Sequence, residues 1–228
     1  MDTIHKIKRT FDQVAGMKKN IDKKQQKPDS KERILQTAVS LFARHGFANT
    51  GMRELAAKAE VNLSMVNYFF GSKKGLLKKI LDSFLSGYLA IAKEELAGPG
   101  DLHSRLERFI ASAVSYFDAE RNSLIITISE LPHDDPEIVE HKAGWARQMI
   151  EIVNQEVCLP HAAENGHHIL PTCFTPMLTF LMASRFLFAP VLESVEAGSS
   201  DTVNTEVYTK MITRIILQGI SGSDNEIV

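Results

Sequence analysis

Polar side chains that can hydrogen-bond nucleic acid are concentrated between residues 50 and 73. An Asn amide can pair with adenine N6 and N7, and a Ser or Thr hydroxyl can bond a base or a phosphate. A Tyr hydroxyl and a Lys ammonium can reach the sugar-phosphate backbone. The chemistry that these types predict is therefore recognition of double-stranded DNA. The side chains concerned are Thr50, Asn62, Ser64, Asn67, Tyr68 and Lys73.

Two short helices, over about 50–58 and 62–69, would position these side chains. Asn62 is a typical N-cap for the second helix, which must enter a major groove about 12 Å wide. Small apolar residues let the two helices pack closely, and the pattern predicts a helix-turn-helix. On geometry alone, two ordinary helices of a larger bundle fit the pattern equally well. The small apolar residues are Leu55, Ala56, Ala59, Val61 and Val66.

The rest of the chain also shows helical spacing and little strand alternation, so we expect an all-α fold. A helix before residue 46 is indicated by an apolar face, and Gly46 is its natural terminator. A long helix should run from Ser72 to about Leu96. Further helices are expected over about 102–117, 121–131, 136–157, 174–190 and 202–219, separated by loops that include 132–136, 160–172 and 193–201. The apolar face consists of Ile34, Leu35, Ala38, Leu41 and Phe42.

Charge is divided unevenly along the chain, although the formal net charge is only −2. Residues 1–79 contain 17 Lys and Arg against 7 Asp and Glu, whereas residues 80–228 contain 9 against 21. A basic N-terminal part and an acidic C-terminal part favour a polyanion-binding module joined to one that avoids polyanions. The alternative is an uneven but solvated surface.

Residues 31–77 resemble the DNA-binding domain of the TetR/AcrR regulators. The resemblance lies in several positions in fixed order, among them Arg53-Glu54-Leu55-Ala56 and Tyr68-Phe69-Phe70-Gly71-Ser72-Lys73. It implies an all-α homodimer with an N-terminal three-helix domain and a larger C-terminal helical domain. By this resemblance, the positions that contact phosphates in the family are Thr50, Tyr68 and Lys73. The position of Arg53 often reaches DNA in such proteins. The recognition helix would present Asn62, Ser64, Met65 and Asn67.

Two positions depart from the family pattern. Glu60 occupies the turn position that commonly holds glycine, and a left-handed backbone there would cost roughly 1 kcal/mol. Asn67 replaces an aromatic residue seen in many members, although an Asn-Tyr version also occurs. Operator sequence therefore does not follow from the resemblance.

The C-terminal region resembles the family only in architecture, which implies ligand binding and dimerisation there. Aromatic and Met side chains suit an apolar or flat effector, although an ordinary core is the more common setting for any single one of them. Dimerisation is expected through the nearly apolar segment 177–188 and the broad stripe of the last helix; a purely intramolecular core is the alternative. The candidate effector contacts are Phe109, Phe117, Ile128, Trp145, Met149, Phe174, Met177 and Phe180.

The expected organisation is a basic extension over 1–28, a helix-turn-helix domain over 29–77, and a ligand-binding and dimerisation domain over 78–228. The extension is interpreted as a docked helix or arm, a DNA-contacting arm, or a helix that binds a membrane or partner. We expect no enzyme, cofactor, metal site or membrane span, and a cytoplasmic location. The leading hypothesis is a repressor released from a palindromic operator by a small molecule. The alternative is a DNA-binding adaptor or architectural protein controlled by a protein partner.

Overall fold

The computed structural model describes residues 29–129, 135–196 and 204–221 and shows only helices in those ranges. The predicted extension over 1–28 lies outside the described residues. The all-α prediction is confirmed. In chain order the helices are α1 (Ser30–His45), α2 (Met52–Lys58), α3 (Leu63–Phe70), α4 (Lys73–Leu96), α5 (Leu102–Ala119), α6 (Arg121–Ser129), α7 (Pro136–Val153), α8 (Leu159–Asn165), α9 (Pro171–Leu187), α10 (Ala189–Glu196) and α11 (Thr205–Ser221).

Helices α1, α2 and α3 pack on the first half of α4 around one cluster of buried side chains. Ile34 of α1 and Leu55 of α2 are completely buried there, as is Val66 of α3. Ile126 of α6 and Ile138 of α7 also belong to this cluster. The core beneath the helix-turn-helix therefore includes residues from well beyond position 77.

A second buried cluster lies among the second half of α4 and helices α5, α7, α9 and α11. Phe109 and Phe117 of α5 are fully buried at its centre, and Tyr208 and Ile212 attach α11 to it. Helix α4 contributes to both clusters and therefore joins them through one continuous helix.

Two segments that were predicted as loops contain helices. A π-helical segment (Asn154–Cys158) follows α7, and α8 continues to Asn165 before Gly166 adopts a left-handed φ of 73°. Pro160 is the second residue of α8, and it has no N–H to donate to the preceding turn. Likewise, a separate helix α10 begins at Ala189, and its residues 193–196 fall in the second segment predicted as a loop.

Helices α9 and α10 are bent by 53° against each other. Among the described residues, no single helix has both the length and the apolar character needed to cross a membrane. Within the described ranges, this bent pair taken together passes the same test of length and composition.

Candidate nucleic-acid interface

The turn between α2 and α3 is a tight helix terminator centred on Glu60. The Val61 N–H donates to the Ala56 carbonyl at 3.0 Å, and the Glu60 N–H donates to the Ala57 carbonyl at 3.1 Å. This pair of bonds defines a Schellman motif with Glu60 at the left-handed position, and its φ is +54°. The left-handed backbone that was considered for this non-glycine residue is therefore present.

Helix α3 begins with a side-chain cap. The Asn62 Oδ1 accepts the Met65 N–H at 2.8 Å, which satisfies a donor that the helix itself cannot pair. Val66 and Phe70 face the buried cluster. The opposite face of α3 carries Ser64, Asn67 and Tyr68, all exposed, with Tyr68 exposed to 84%.

Two predicted DNA contacts are less accessible than the sequence suggested. Thr50 is buried, and its hydroxyl donates to the Gly46 carbonyl at 2.9 Å, so it links the end of α1 to the start of α2. Helix α2 begins only at Met52, with Gly51 as its N-cap. Met65 is half-buried and packs against the first cluster. The predicted phosphate contact of Thr50 therefore lacks an exposed hydroxyl in this structure.

Lys73 lies at the start of α4 beside the turn that follows α1. Its Nζ donates to the Ala48 carbonyl at 3.2 Å and lies 4.5 Å from the centroid of the Phe47 ring. Ser72 caps α4 by accepting the Gly75 N–H at 3.0 Å. The N-terminal end of α4 thus presents an ammonium group and a helix dipole that favours anions.

Arg53 is exposed on α2, on the same module as the α3 face. Its neighbour Glu54 pairs with Lys58 at 3.0 Å, one turn along the helix. The hydrogen bond from Lys58 and its charge lower the pKa of Glu54, so this carboxylate stays ionised but paired. The sequence-predicted DNA contacts that lie exposed are Arg53, Asn62, Ser64, Asn67 and Tyr68.

The candidate effector contacts divide into two groups. Phe109, Phe117 and Met149 are buried in the second cluster, and Ile128, Trp145 and Phe174 pack against it. Met177 and Phe180 are exposed to 63% and 51%, on the outer side of α9. The structure does not bring these last two to the second cluster, because α9 buries the face that contains Thr175, Leu178 and Met182.

A band of exposed apolar side chains lies on α9 and α11. On α11 they recur at every fourth residue and so form one stripe along the helix, each about half exposed. Tyr208 joins the two helices, since its hydroxyl lies 3.0 Å from that of Ser184. The band consists of Met177 and Phe180 on α9, Phe188 directly after it, and Val207, Met211 and Ile215 on α11.

Sequence reasoning missed a buried polar cluster in the C-terminal region. Tyr88 and Thr179 bond each other at 3.0 Å, and Thr175 lies one turn from Thr179. A lone Thr on an apolar helix carries no distinctive sequence signal; its position just before Pro176 is the one available hint. Among the described residues, no group of three or more His, Cys, Asp or Glu could hold a metal ion.

Family-model comparison matches residues 34–80 to the bacterial regulatory proteins of the tetR family. The chain is 39% identical over 62 residues to the probable HTH-type transcriptional regulator YttP of Bacillus subtilis, a match covering 27% of this chain and 30% of that relative. It is 28% identical over 179 residues to the HTH-type transcriptional repressor SCO4008 of Streptomyces coelicolor, covering 75% of this chain and 85% of the repressor.

The fold is similar to that of the transcriptional regulator FadR of Bacillus subtilis, solved in complex with stearoyl-CoA. The TM-score is 0.66 at 14% identity, over 82% of this chain and 98% of FadR. The family match thus falls on the helix-turn-helix and the start of α4, and the fold similarity extends over the C-terminal helices. Residues 34–80 thus form a DNA-binding domain of the tetR family of bacterial regulatory proteins, and together the comparisons support a TetR-family regulator.

Proposed function

We propose that this regulator binds a palindromic operator as a homodimer and represses transcription until a small molecule releases it. The exposed face of α3, with Ser64, Asn67 and Tyr68, is the observation that carries the proposal. Ser64 and Asn67 supply donors and acceptors for base edges, and Tyr68 with Lys73 supplies backbone contacts. DNA binding also favours a cytoplasmic location.

In this proposal, DNA binding and effector binding belong to different domains. Residues 29–77 bind DNA, and residues 78–228 bind the effector and the second subunit. The apolar band on α9 and α11 supports the dimer, because a stripe of half-exposed Met, Val and Ile side chains is stabilised when a symmetry mate covers it. A two-fold axis then repeats α3 for the second operator half-site.

In this proposal, release of the operator DNA depends on α4, because this helix contributes to both buried clusters. An effector that binds better to one arrangement of the C-terminal helices shifts the population toward it and alters the distance between the two recognition helices. A hundredfold weakening of operator binding corresponds to about 2.7 kcal/mol of coupling, within the usual range. The relatives are named as regulators and repressors, which favours this function over the DNA-binding adaptor.

The test is selection of bound sequences from a random duplex library by the purified full chain, followed by footprinting. We expect an inverted repeat with half-sites about one DNA turn, roughly 10 base pairs, apart. The selected duplex then reports release by a panel of hydrophobic and cationic compounds. Attachment to every duplex with equal, salt-sensitive affinity would overturn the proposal.

A further inference from the structure

A cavity of about 670 Å³ lies between α5 and α11 and is partly open to solvent. Its volume is within the range of sites that bind small organic molecules. The described residues that line it include none of the candidate effector contacts and none of the apolar band. The cavity is therefore a further site, distinct from those contacts and from the proposed subunit interface.

Both helices contribute polar and apolar side chains to the cavity. On α5, the residues His103, Glu107, Ala111 and Ser115 recur at every fourth position and so form one exposed line along the helix. On α11, the lining residues lie between positions 205 and 218, and Leu217 among them is almost completely buried. Ala111 and Leu217 thus give the cavity apolar surface on both walls.

The two walls run in opposite directions along the cavity. Arg121 follows the end of α5, and its guanidinium carbon lies 5.7 Å from the centre of the Phe186 ring. The Tyr208 ring, in the first turn of α11, lies 6.2 Å from the same ring. The end of α5 and the start of α11 are therefore close together. Because both helices line the cavity over several turns, they are antiparallel.

Glu107 and Arg214 lie at about the same level on the two walls. In the antiparallel arrangement, His103 and Gln218 mark the same end of the cavity, and Glu107 and Arg214 are each four residues from that end. Neither side chain forms an ion pair with any residue of 29–129, 135–196 or 204–221. The cavity thus holds one carboxylate and one guanidinium, on opposite walls, that do not pair with each other.

The other Glu and the Lys of the cavity neutralise each other. Glu206 and Lys210 pair at 2.7 Å, one turn apart on α11. Their hydrogen bond lowers the pKa of Glu206 and raises the pKa of Lys210, so both groups stay charged and paired near neutral pH. Thr213, next to Arg214, lines the cavity and is only 8% exposed, and its hydroxyl has no hydrogen-bond partner in the part of the chain that the structure describes. A carboxylate bound at Arg214 would therefore meet a second donor.

A ligand that matches these charges carries both signs. A lone carboxylate at Arg214 would be repelled by Glu107, and a lone amine at Glu107 would be repelled by Arg214. We propose that the cavity binds a zwitterion, an amino carboxylate whose carboxylate pairs with Arg214 and whose ammonium group pairs with Glu107. An apolar body attached to this head group covers Ala111 and Leu217. The site is additional to the proposed function and does not depend on operator binding.

Three probes that share one indole ring test the proposal. L-Tryptophan carries both charges, tryptamine lacks the carboxylate, and indole-3-propionate lacks the ammonium group. Their dissociation constants are measured by calorimetry at low ionic strength, where exposed charges are least screened, on the wild-type full chain and on Arg214→Gln and Glu107→Gln. The matched controls are Arg147→Gln and Glu151→Gln, at exposed residues of α7 outside the cavity.

We expect the wild type to bind L-tryptophan about fivefold more tightly than either other probe, the factor at the upper end for one partly exposed ion pair. R214Q should lose the preference over tryptamine and keep the preference over indole-3-propionate, and E107Q should do the reverse. R147Q and E151Q should match the wild type.

Three results would overturn the inference. They are equal binding of the three probes by the wild type, no saturable binding of L-tryptophan up to about 10 mM, and unchanged preferences in either cavity variant. The assay contains no DNA, so its failure leaves the proposed function standing, whereas loss of operator selectivity overturns the proposed function alone.

Discussion

Glu137 at the start of α7 is paired with Lys78 of α4, with 2.7 Å between its Oε1 and the Lys78 Nζ. Lys74, one turn earlier on α4, also pairs with Glu137 at 3.3 Å and with Asp135 at 2.8 Å. Further along the chain on the same two helices, His141 and Trp145 of α7 both bond the Asp82 carboxylate of α4, at 2.7 and 3.1 Å. The half of α4 that supports the recognition helix is thus held to α7 by polar contacts.

These ion pairs predict a pH dependence of stability. Hydrogen bonds from Lys78 and then Lys74 lower the pKa of Glu137 in the folded chain. A lowered folded-state pKa contributes stability above the ordinary Glu value of about 4.3 and loses it as the pH falls through the folded value. Glu137→Gln should therefore flatten the decrease of Tm on acidification below about pH 5 at low salt. Glu164→Gln, at an exposed carboxylate, is the control; equal flattening in both variants would contradict the assignment.

The left-handed turn predicts a stabilising substitution. Glu60 has a φ of +54°, which glycine adopts without strain, so Glu60→Gly should raise the free energy of unfolding by roughly 1 kcal/mol. Glu60→Ala removes the same charge but keeps the Cβ, and it should give no comparable gain. Urea unfolding of the three proteins decides the question: equal stability of the two variants would mean that charge, not backbone strain, is responsible.

The junction between α3 and α4 predicts a destabilising substitution. A Cβ at position 75 would lie far inside van der Waals contact with the Phe70 carbonyl oxygen, so Gly75→Ala must shift α3 against α4. We expect a cost of about 1–3 kcal/mol in unfolding and weaker operator binding. Gly144→Ala, where a Cβ meets nothing within 4 Å, should be neutral or stabilising. Equal effects of the two substitutions would contradict this account of the junction.

The apolar band predicts the effect of new charges on assembly. Met211→Glu or Ile215→Glu would bury a carboxylate in the proposed subunit interface, so sedimentation at micromolar concentration should show mostly monomer. Val139→Glu, at an apolar side chain exposed to 45% on α7, should leave the dimer intact. A stable dimer in the α11 variants would place the interface elsewhere.

Local signals predicted the helix-turn-helix well, because its elements are set by neighbouring residues. Asn62 and Ser72 are the caps that their types predict, and Glu60 adopts the left-handed backbone that was considered for the family's glycine position. The direction of individual side chains was harder to predict. The Thr50 hydroxyl donates to the Gly46 carbonyl, because the turn between α1 and α2 directs this side chain inward. In the C-terminal region, periodicity could not separate the buried face of α9 from the outer face that carries Met177 and Phe180, because the helix is apolar nearly all round.

Sequence readout by α3 is the central claim, and Asn67→Ala tests it most directly. Affinities for the selected operator and for a scrambled duplex are measured on the wild type, N67A and Asn122→Ala, an exposed Asn on α6. Loss of a base contact worth about 1–3 kcal/mol should reduce the ratio of operator to scrambled affinity by roughly 5- to 150-fold in N67A, with affinity for the scrambled duplex nearly unchanged. N122A should match the wild type. A ratio in N67A equal to that of the wild type, or an equal loss on both duplexes, would contradict base recognition by this face of α3.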